Sequence, residues 1–402
     1  MFSIKMDWCK VSVIIVLLNV FGICQAYFEA CDSTINVDAG QTISLQSPGY
    51  SAGYGYAPGS SCRYTIVAPS EYQVRATCSI NLSDPSNGSC SSERFYFATD
   101  GRKDLSTSVY YCGAKTIGLT SQGNQMVLAY ISTVNNGIFD CSITTVCDCG
   151  WSISSRIVGG TTAGVNEFTP MAALVDTYTY KIYCGATIVS SKYVVTAAHC
   201  LKVTTPSNTT VLVGDHNIKT GNETNYAAVY IVKRFVPKTD YSPTTNLNDI
   251  GLVETVNPIL WSRGVSPVCL PFYYTSADFS GTTLTATGWG STSFGGPVSD
   301  VLLKVDLNVL SNTNAQCTST YPNVASSQMC TYSSQKDTCQ RDSGGPLFYR
   351  GPTDPRLFLV GLVSLGEGCG GSNPSLNSRL TSFLTWIESI TGTGVLCRRA
   401  LA

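Results

Sequence analysis

Histidine is nearly absent from this chain: its 402 residues include only His199 and His216. Any histidine that acts as a base is therefore one of two candidates. Charge is also sparse, because Asp, Glu, Lys and Arg make up 13% of the residues and the formal net charge is −1. Nucleic-acid binding requires a basic patch, so this composition predicts no nucleic-acid partner.

Long apolar segments are lacking as well. Lys5 and Lys10 precede the apolar run 11–23, and the small-residue sequence Cys24-Gln25-Ala26 follows it. A membrane span needs about 20 apolar residues, and this run is shorter. The pattern is typical of a signal peptide with its cleavage site. We therefore predict a signal peptide at 1–26 and a secreted protein without a membrane anchor.

Cysteine, in contrast, is abundant. The chain has 18 cysteines, of which sixteen remain after Cys9 and Cys24 are subtracted with the predicted signal peptide. Such a content indicates an oxidising compartment. Four Asn-x-Ser/Thr sequences agree with that, and they predict glycosylation at Asn81, Asn87, Asn208 and Asn222.

The region 27–147 has the pattern of an antiparallel β-sandwich. Short runs of Val, Ile, Tyr, Phe and Thr alternate with turn sequences, and no segment has a convincing helical period. The predicted strands are Thr42–Gln46, Cys62–Ala68, Tyr72–Ile80, Arg94–Thr99, Ser108–Cys112 and Gln125–Ile131.

The order of motifs in this region resembles a CUB domain. The matching residues are Cys31, Ser47-Pro48-Gly49-Tyr50, Cys62-Arg63-Tyr64-Thr65-Ile66, Cys90 and Cys112-Gly113. The resemblance implies the disulfides Cys31–Cys62 and Cys90–Cys112, and a protein partner for this domain. Many CUB domains bind calcium through carboxylates, but here only Glu93 matches, and Thr133 stands where an aspartate is frequent. We predict no metal site there.

The region that starts at residue 157 is also rich in short strands, which indicates barrels or sandwiches. The predicted strands are Tyr193–Ala197, Val211–Val213, Ala227–Val232, Ile250–Val253, Thr283–Thr287, Val301–Val309 and Phe358–Leu365. Only the end has a helical period, from about Ser378 to Ile390, where several apolar residues share one face.

The two histidines differ in their surroundings. His199 ends the apolar strand-like sequence Tyr193–Ala197 and precedes Cys200, a position that fixes the ring on a rigid element. His216 lies in a polar, turn-like sequence, where we expect it to be solvated. A structural histidine at a strand end remains the alternative for His199, taken by itself.

Two further groups would complete a nucleophilic site with His199. Asp249 stands at the start of an apolar strand, where it could orient a base. Ser343 follows Asp342 and precedes two glycines, which let the chain turn tightly and bring N–H groups close to a reacting atom. Alone, the stretch around Ser343 could equally be a polar turn.

Together these motifs resemble the chymotrypsin/trypsin family of serine proteases. The resemblance extends from Ile157 to about Thr391, through IVGG (157–160), TAAHC (196–200), NDIGLV (248–253), GWG (288–290), DTCQRDSGGP (337–346) and VSLG (363–366). It implies an all-β fold of two barrels with a C-terminal helix, following the CUB sandwich. With the CUB region, the arrangement is similar to CUB-bearing proteases of arthropod venom, digestive fluid or haemolymph.

The resemblance also implies roles for individual residues. Ser343 would be the nucleophile, His199 the general base and acid, and Asp249 the group that orients the ring. The N–H groups of Ser343 and Arg341 would hold the oxyanion. Arg341 replaces the usual glycine, so a long cation would favour acidic groups just past the cleaved bond or obstruct some substrates.

The specificity pocket follows from the same resemblance. Asp337 would lie at its base and attract Arg or Lys of a substrate, with Ser364 and Gly366 along the bound chain. Ser375 stands where the family usually has glycine, which predicts a narrower pocket. Ser364 would also donate a hydrogen bond to Asp249.

The resemblance implies that the protein is made as a zymogen. A trypsin-like activator would cut after Arg156, and the new Ile157 ammonium would pair with Asp342. Asp215 and Glu223 stand in the family's calcium loop, but the segment between them is short and lacks one acid. We predict no metal and no cofactor.

The family implies further disulfides, namely Cys184–Cys200, Cys317–Cys330 and Cys339–Cys369. It also implies that Cys269 pairs with Cys147 or Cys149. This leaves Cys78, Cys141, one of these two linker cysteines and Cys397, whose pairing spacing cannot assign. We take Cys78–Cys141 as a hypothesis.

These predictions define a domain order: signal peptide 1–26, CUB domain 27–147, linker and activation site 148–156, protease domain 157–392 and tail 393–402. The predicted function is a secreted endopeptidase that acts on proteins or peptides after Arg or Lys. The alternative is a protease-like binding protein without catalysis, which acts through the CUB domain.

Overall fold

Strands dominate the structure, a computed structural model in which the chain divides into two compact units, Met1–Cys147 and Asp148–Ala402. It describes residues 28, 31–69, 71–83, 88–133, 137–153, 162–220, 223–291, 296–333, 342–352, 354–366, 373–392 and 395–399. Within these residues, no helix has the length and apolar character needed to cross a bilayer.

The first unit contains two sheets. One has the order β1-β3-β8-β5-β6 and the other β2-β9-β4-β7. The strands are β1 (Asp32–Asn36), β2 (Thr42–Gln46), β3 (Ser61–Val67), β4 (Tyr72–Asn81), β5 (Glu93–Ala98), β6 (Val109–Tyr111), β7 (Ala114–Thr120), β8 (Gln125–Ser132) and β9 (Ile138–Cys147). Pairing is antiparallel except between β1 and β3, which run parallel.

The core of this unit lies between the sheets. Along β4 every second residue is buried, as expected for a strand with one face in the core and one in solvent. Val74 and Ile80 from that face pack with Phe95 and Leu128 of the opposite sheet. This arrangement is a β-sandwich.

The second unit contains two closed six-stranded barrels, in the orders β10-β11-β12-β15-β14-β13 and β16-β17-β18-β21-β20-β19. The first barrel uses β10 (Met171–Asp176), β11 (Ile182–Ser190), β12 (Tyr193–Thr196), β13 (Thr209–Val213), β14 (Ala228–Pro237) and β15 (Gly251–Thr255). The second uses β16 (Thr283–Gly288), β17 (Leu303–Leu310), β18 (Gln328–Tyr332), β19 (Pro346–Tyr349), β20 (Phe358–Leu365) and β21 (Ser375–Arg379).

The two barrels share one hydrophobic cluster. Met171 and Leu252 of the first barrel belong to the same cluster as Phe348 and Leu362 of the second. Phe168 stacks on Phe348 with ring centroids 5.7 Å apart. Burial of this surface fixes the first barrel against the second, so loops at their junction have defined positions.

The predicted all-β class, with a sandwich followed by a double barrel and a short C-terminal helix, is confirmed. The helix is shorter than predicted. Ser378 belongs to β21, a short 3₁₀ helix occupies Leu380–Phe383, and α2 spans Leu384–Thr391. Strand pairing overrides helical periodicity at Ser378, because its main chain pairs with Leu362 and Gln328. A further helix, α1 (Ala315–Thr320), was not predicted.

No described cysteine is free, and for six of the disulfides both partners are defined. They are Cys31–Cys62, Cys78–Cys141, Cys90–Cys112, Cys149–Cys269, Cys184–Cys200 and Cys317–Cys330. Cys269 therefore bonds Cys149, and Cys147 and Cys397 are also disulfide-bonded. Cys339 and Cys369 lie outside the described residues.

Replacement of both Cys78 and Cys141 by alanine should destabilise the first unit selectively. These residues are directly opposite each other on β4 and β9, and both are fully buried. Loss of such a link typically costs about 2–4 kcal/mol, which corresponds to a fall of roughly 10 °C in the unfolding temperature. Calorimetry of the whole chain measures this change, with the transition of the second unit as internal control. Equal unfolding temperatures with and without the link would contradict the expectation.

Candidate active site

His199 and Asp249 are brought together by the pairing of two strands in the first barrel. β12 pairs with β15, so that Thr196 lies opposite Gly251. His199 follows β12 after two buried alanines and begins a 3₁₀ helix, His199–Lys202. Asp249 precedes β15 by two residues, so both side chains lie at the same end of this strand pair.

The contact between the two residues has the geometry of an oriented base. The Nδ1 atom of His199 lies 2.7 Å from Oδ2 of Asp249, and the His199 main-chain N–H donates to Oδ1 at 2.9 Å. The Asp249 side chain is fully buried, while that of His199 is 30% exposed. The ring is thus held at one nitrogen and accessible at its outer edge.

Asp249 stays ionised in spite of its burial. Burial by itself would raise the pKa of this carboxyl, but hydrogen bonds from His199 and Ser364 and the charge of a protonated His199 outweigh it and lower the pKa. A buried carboxylate with several donors is the expected result of such compensation. Asp249 can therefore stabilise a positive charge on the ring.

The second barrel also holds Asp249. The hydroxyl of Ser364, at the end of β20, donates to Oδ2 of Asp249 at 2.5 Å. The hydroxyl of Ser378, on β21, donates to the main-chain oxygen of Asp249 at 2.8 Å. The sequence indicated Ser364 but not Ser378, because no local pattern marks a serine that reaches across from another barrel.

Ser343 lies in a tight turn that is packed against the first barrel. Its carbonyl oxygen accepts a hydrogen bond from the N–H of Gly185 on β11, at 2.9 Å. The next residue, Gly344, donates to Val363 of β20 at 2.7 Å and has φ +75. A Cβ atom on Gly344 would lie 2.0 Å from Oγ1 of Thr196, so only glycine fits there.

Ser343 and His199 come from different barrels but meet at the same place. The Ser343 carbonyl oxygen lies 3.6 Å from the Sγ atom of Cys200, the residue next to His199. Cys200 is itself fixed to β11 through Cys184. The main chain of the partly exposed Ser343 therefore lies against the residue that follows His199.

The carboxylate of Asp342 occupies a space that two glycines leave for it. Oδ1 of Asp342 accepts the N–H of Gly290 at 2.9 Å. A Cβ atom on Gly288 or Gly290 would lie 2.1 or 2.5 Å from this carboxylate. The Gly-Trp-Gly sequence thus forms a seat for the residue directly before Ser343.

His216 is buried rather than solvated, so that expectation is wrong. It is 8% exposed, and its carbonyl oxygen accepts hydrogen bonds from Nε1 of Trp289 and the N–H of Leu302. Burial lowers its pKa. The contact with Trp289 comes from a residue 73 positions away in sequence, which a turn-like local sequence could not reveal.

Glu223 organises the segment that contains His216. Its carboxylate accepts the N–H groups of His216 and Asn217 and, at 2.5 Å, the hydroxyl of Thr220. Burial alone would raise the pKa of Glu223, but these donors lower it to about 2, while burial and Glu223 raise the pKa of Asp215 to about 6. Both carboxylate oxygens of Glu223 thus accept hydrogen bonds from groups of the loop itself. A calcium ion would need six to eight oxygen ligands in total.

In the first unit, the carboxylate of Glu93 also accepts hydrogen bonds from neighbouring groups of the protein. It is 1% exposed and accepts hydrogen bonds from the Ser132 hydroxyl, at 2.9 Å, and from the Ser83 N–H. Thr133 donates its hydroxyl to the Ser92 carbonyl oxygen at 3.0 Å.

The remaining predicted site residues are partly described. Gly366 is exposed after the end of β20, and Ser375 is 1% exposed at the start of β21, opposite Thr331. Asn81 is exposed and Asn208 partly exposed. Several residues lie outside the described part of the chain, namely Asn87, Arg156, Ile157, Asn222, Asp337 and Arg341.

Comparisons with known proteins agree with this architecture. A family model described as Trypsin matches residues 157–387, and one described as CUB domain matches residues 31–138. "Venom serine protease 34" of Apis mellifera is 34% identical over 403 residues, which cover 96% of this chain and 95% of that protein. "Venom serine protease" of Polistes dominula is 39% identical, covering 63% of this chain and 91% of its own. "Clotting factor G beta subunit" of Tachypleus tridentatus is 33% identical over a region that covers 60% of this chain and 82% of that protein.

Gly290→Ala should destabilise the second unit strongly, because the added methyl group would displace the Asp342 carboxylate. We expect a loss of about 3 kcal/mol, at the upper end for overpacking. Gly281→Ala is the matched control: Gly281 has φ +77 but open space around it, so only conformational strain of about 1 kcal/mol should follow. Denaturant unfolding compares the two. Equal losses would show that the Asp342 seat does not depend on Gly290.

Proposed function

This chain belongs to the trypsin family of serine proteases and has a CUB domain before its protease domain, and from that premise we propose that Ser343, His199 and Asp249 form its catalytic triad. The protein is a serine endopeptidase. The observation that carries the triad assignment is the 2.7 Å contact between His199 Nδ1 and the buried Asp249. Ser343, on the neighbouring turn, supplies the nucleophile.

The reaction follows from these positions. Oγ of Ser343 attacks the carbonyl carbon of the substrate while Nε2 of His199 takes the hydroxyl proton. The protonated ring stays in place because its Nδ1–H points at Asp249, and it then gives the proton to the leaving amine. Water repeats the sequence in reverse and releases the acid from Ser343. N–H groups of Ser343 and Arg341 bind the oxyanion.

We assign the preference for Arg or Lys to Asp337, as the sequence motif implies. An anion at the base of a narrow pocket attracts a cationic side chain and penalises other side chains, which leave it without a partner. The buried Ser375 at the start of β21 supports a pocket that is narrow on this side. Its hydroxyl adds a polar group where a glycine would leave open space.

The proposal includes activation by a cut after Arg156, made by a trypsin-like protease. The new ammonium group of Ile157 would pair with Asp342, whose carboxylate already accepts the Gly290 N–H. Because Asp342 directly precedes Ser343, this ion pair would fix the turn that carries the nucleophile. A Cβ atom at Gly288 or Gly290 would lie only 2.1 or 2.5 Å from the Asp342 carboxylate. The space around this carboxylate therefore depends on the two glycines, which supports a fixed position for the proposed ion pair.

The CUB domain would remain attached after this cut. Cys149 precedes Arg156 and bonds to Cys269 in the protease domain. The segment before Ile157 would thus stay covalently linked to the active enzyme. We propose that the CUB domain binds a protein partner and so brings the protease to its substrate.

We also propose that the protein is secreted, after removal of residues 1–26, and glycosylated at the four Asn-x-Ser/Thr sites. The disulfides among the described residues support an oxidising compartment, and the exposure of Asn81 suits a glycan. Two of the relatives are named venom serine proteases, which makes venom a candidate fluid for this enzyme.

The central test compares the zymogen with the protein cut after Arg156. After N-terminal sequencing of Ile157, the cut form should hydrolyse arginyl and lysyl amides at least about 100-fold faster than leucyl or glutamyl amides. The uncut form should be nearly inactive. A serine-directed phosphonate should label the cut form only.

Ser343→Ala is the matched control, since it removes one oxygen and leaves Asp342 and the glycines intact. It should unfold at the same temperature as the parent, lose amide hydrolysis and resist labelling. Turnover by this variant would refute Ser343 as nucleophile. No turnover and no labelling of the correctly cut parent would instead favour the non-catalytic alternative.

A further inference from the structure

The outer wall of the first barrel carries three neighbouring aliphatic side chains in solvent, on residues that the proposed mechanism does not use. Val229 and Ile231 of β14 are 62% and 65% exposed. Val256, directly after β15, is 48% exposed, and its N–H donates to the carbonyl oxygen of Ile231 at 2.9 Å. A single exposed aliphatic residue is common, whereas a contiguous group marks a contact surface. These three residues are named the β14 strip.

The alternation of side chains in a strand explains why the β14 strip faces solvent. Val232 of β14 and Val253 of β15 belong to the core of the first barrel. Ile231 and Val256 are an odd number of positions away from them and therefore face outwards. The six strands of this barrel form a closed ring, which leaves no free strand edge for a partner strand. A partner of the strip would thus be recognised through side chains.

Two cations continue the β14 strip towards the end of the strand. Nζ of Lys233 and Nε of Arg234 lie 2.6 and 2.5 Å from the carboxylate oxygens of Glu254, and both cations are more than half exposed. Burial alone would raise the pKa of Glu254, but hydrogen bonds from Lys233 and Arg234 outweigh it and lower the pKa. One ionised carboxylate is therefore shared by two cations.

A third cation, Lys192, borders the same group. Its carbonyl oxygen accepts the N–H of Thr255, the residue after Glu254, at 2.9 Å. Its side chain is exposed, and it forms no ion pair with any residue of the described ranges. The three cations and one carboxylate leave two positive charges that the described residues do not neutralise. This corner of the barrel is therefore cationic and apolar at the same time.

An acidic segment of another protein is the occupant that this surface fits best. Its carboxylates would supply the negative charge that the three cations lack, which is the complementarity expected at a specific interface. A symmetric pair of copies would instead bury the same positive corner twice and add no carboxylate. A membrane would require side chains that enter the headgroup region, whereas the strip residues are short, β-branched and held on a barrel wall.

We propose that the β14 strip and its cations form a docking site, separate from the catalytic cleft, for an acidic protein segment in which carboxylates stand beside aliphatic side chains. The aliphatic side chains pack on Val229, Ile231 and Val256, and the carboxylates face Lys192 and Lys233. The binding itself does not depend on the proposed function, whereas its use in holding protein substrates rests on that function.

The docking site is remote from the catalytic residues. Asp249 precedes β15, and Glu254 lies five residues further along the chain, which is about 17 Å in an extended strand. A protein substrate that spans this distance would contact both places, and its cleavable bond would gain in local concentration. A small arginyl amide would reach only the catalytic cleft. The site therefore predicts selection among protein substrates with no change for small ones.

The experiment measures binding to the uncut whole chain with Ser343→Ala, so that no probe is cleaved. The probe is a short fluorescent peptide in which Glu alternates with Leu. One control peptide has Lys in place of Glu, and a second has Ser in place of Leu. Fluorescence anisotropy gives the dissociation constant of each peptide.

Two changes test the two parts of the surface. The first is a double variant, Val229→Thr with Ile231→Thr, in which the branched shape that suits a strand is kept. Its matched control is Val203→Thr, an exposed valine after the 3₁₀ helix His199–Lys202. The second is Lys192→Glu, with Lys181→Glu as its control, an exposed lysine before β11.

The Glu-Leu peptide should bind saturably, and either control peptide at least about tenfold more weakly. The double variant should weaken the binding of the Glu-Leu peptide about tenfold, because two aliphatic contacts are lost. Lys192→Glu should weaken it about fivefold, and this difference should vanish in 1 M salt, where charges are screened. Val203→Thr and Lys181→Glu should bind as the parent does.

A second measurement separates the docking site from the catalytic cleft. The Glu-Leu peptide contains no Arg or Lys, so the activated enzyme should not cleave it at the proposed specificity. At a saturating concentration it should leave the hydrolysis of an arginyl anilide unchanged. Competitive inhibition would place the peptide in the catalytic cleft and contradict a separate site.

Other results would also overturn the inference. Equal binding of the Glu-Leu and Lys-Leu peptides would contradict the role of the cations, and equal affinity of the double variant and Val203→Thr would exclude the β14 strip. Without peptide binding, a loss of phosphatidylserine-vesicle binding or of self-association in the double variant would assign the strip to a membrane or a second copy. Failure of the activated parent to hydrolyse the anilide would refute the proposed function and leave the binding result valid.

Discussion

The burial of the Asp249 carboxylate is the constraint on which this site depends. A charge that is fully withdrawn from water costs several kcal/mol unless donors surround it. Here the donors come from both barrels, since His199 belongs to the first and Ser364 to the second. The need to satisfy one carboxylate thus requires the barrels to meet in a single arrangement, and that arrangement orients the base.

A second carboxylate, that of Asp342, has a comparable effect on the nucleophile. It lies in the space that Gly288 and Gly290 leave open, and the turn that it anchors continues through Ser343 and Gly344. Trp289, between these glycines, donates its indole N–H to the carbonyl oxygen of His216. The same short sequence therefore supports the proposed activation contact and the segment of His216.

The sequence predicted correctly those strands whose side-chain pattern lies within a few neighbouring residues. Alternation in β4 and the full extent of β20 were readable, because each strand has a continuous apolar pattern between turns. The prediction of a helix from Ser378 was wrong, because pairing in β21 depends on β18 and β20, which are distant in sequence. The parallel strand β1 was missed for a similar reason, since its partner β3 begins 29 residues after Asp32 (residue 61 minus residue 32).

The site residues divide in the same way, into those that a local motif predicts and those that depend on long-range packing. Asp249 and the Ser343 turn stand out because each lies in a motif with a clear physical role, and Ser364 was implied by the family resemblance. The burial of His216 and the contact of Ser378 with Asp249 depend on packing between elements that are far apart in sequence. The choice of Cys149 rather than Cys147 as the partner of Cys269 required coordinates.

The most direct measurement of the central claim is kcat for an arginyl amide by the activated Asp249→Asn enzyme at neutral pH. The amide keeps the shape of the carboxylate but removes its charge and favours the wrong tautomer of His199. We expect kcat to fall about 10⁴-fold, the loss known for this change in a Ser-His-Asp triad, while an unchanged unfolding temperature and the Ile157 N-terminus show an intact, correctly cut protein. A kcat within about tenfold of the parent would contradict the account.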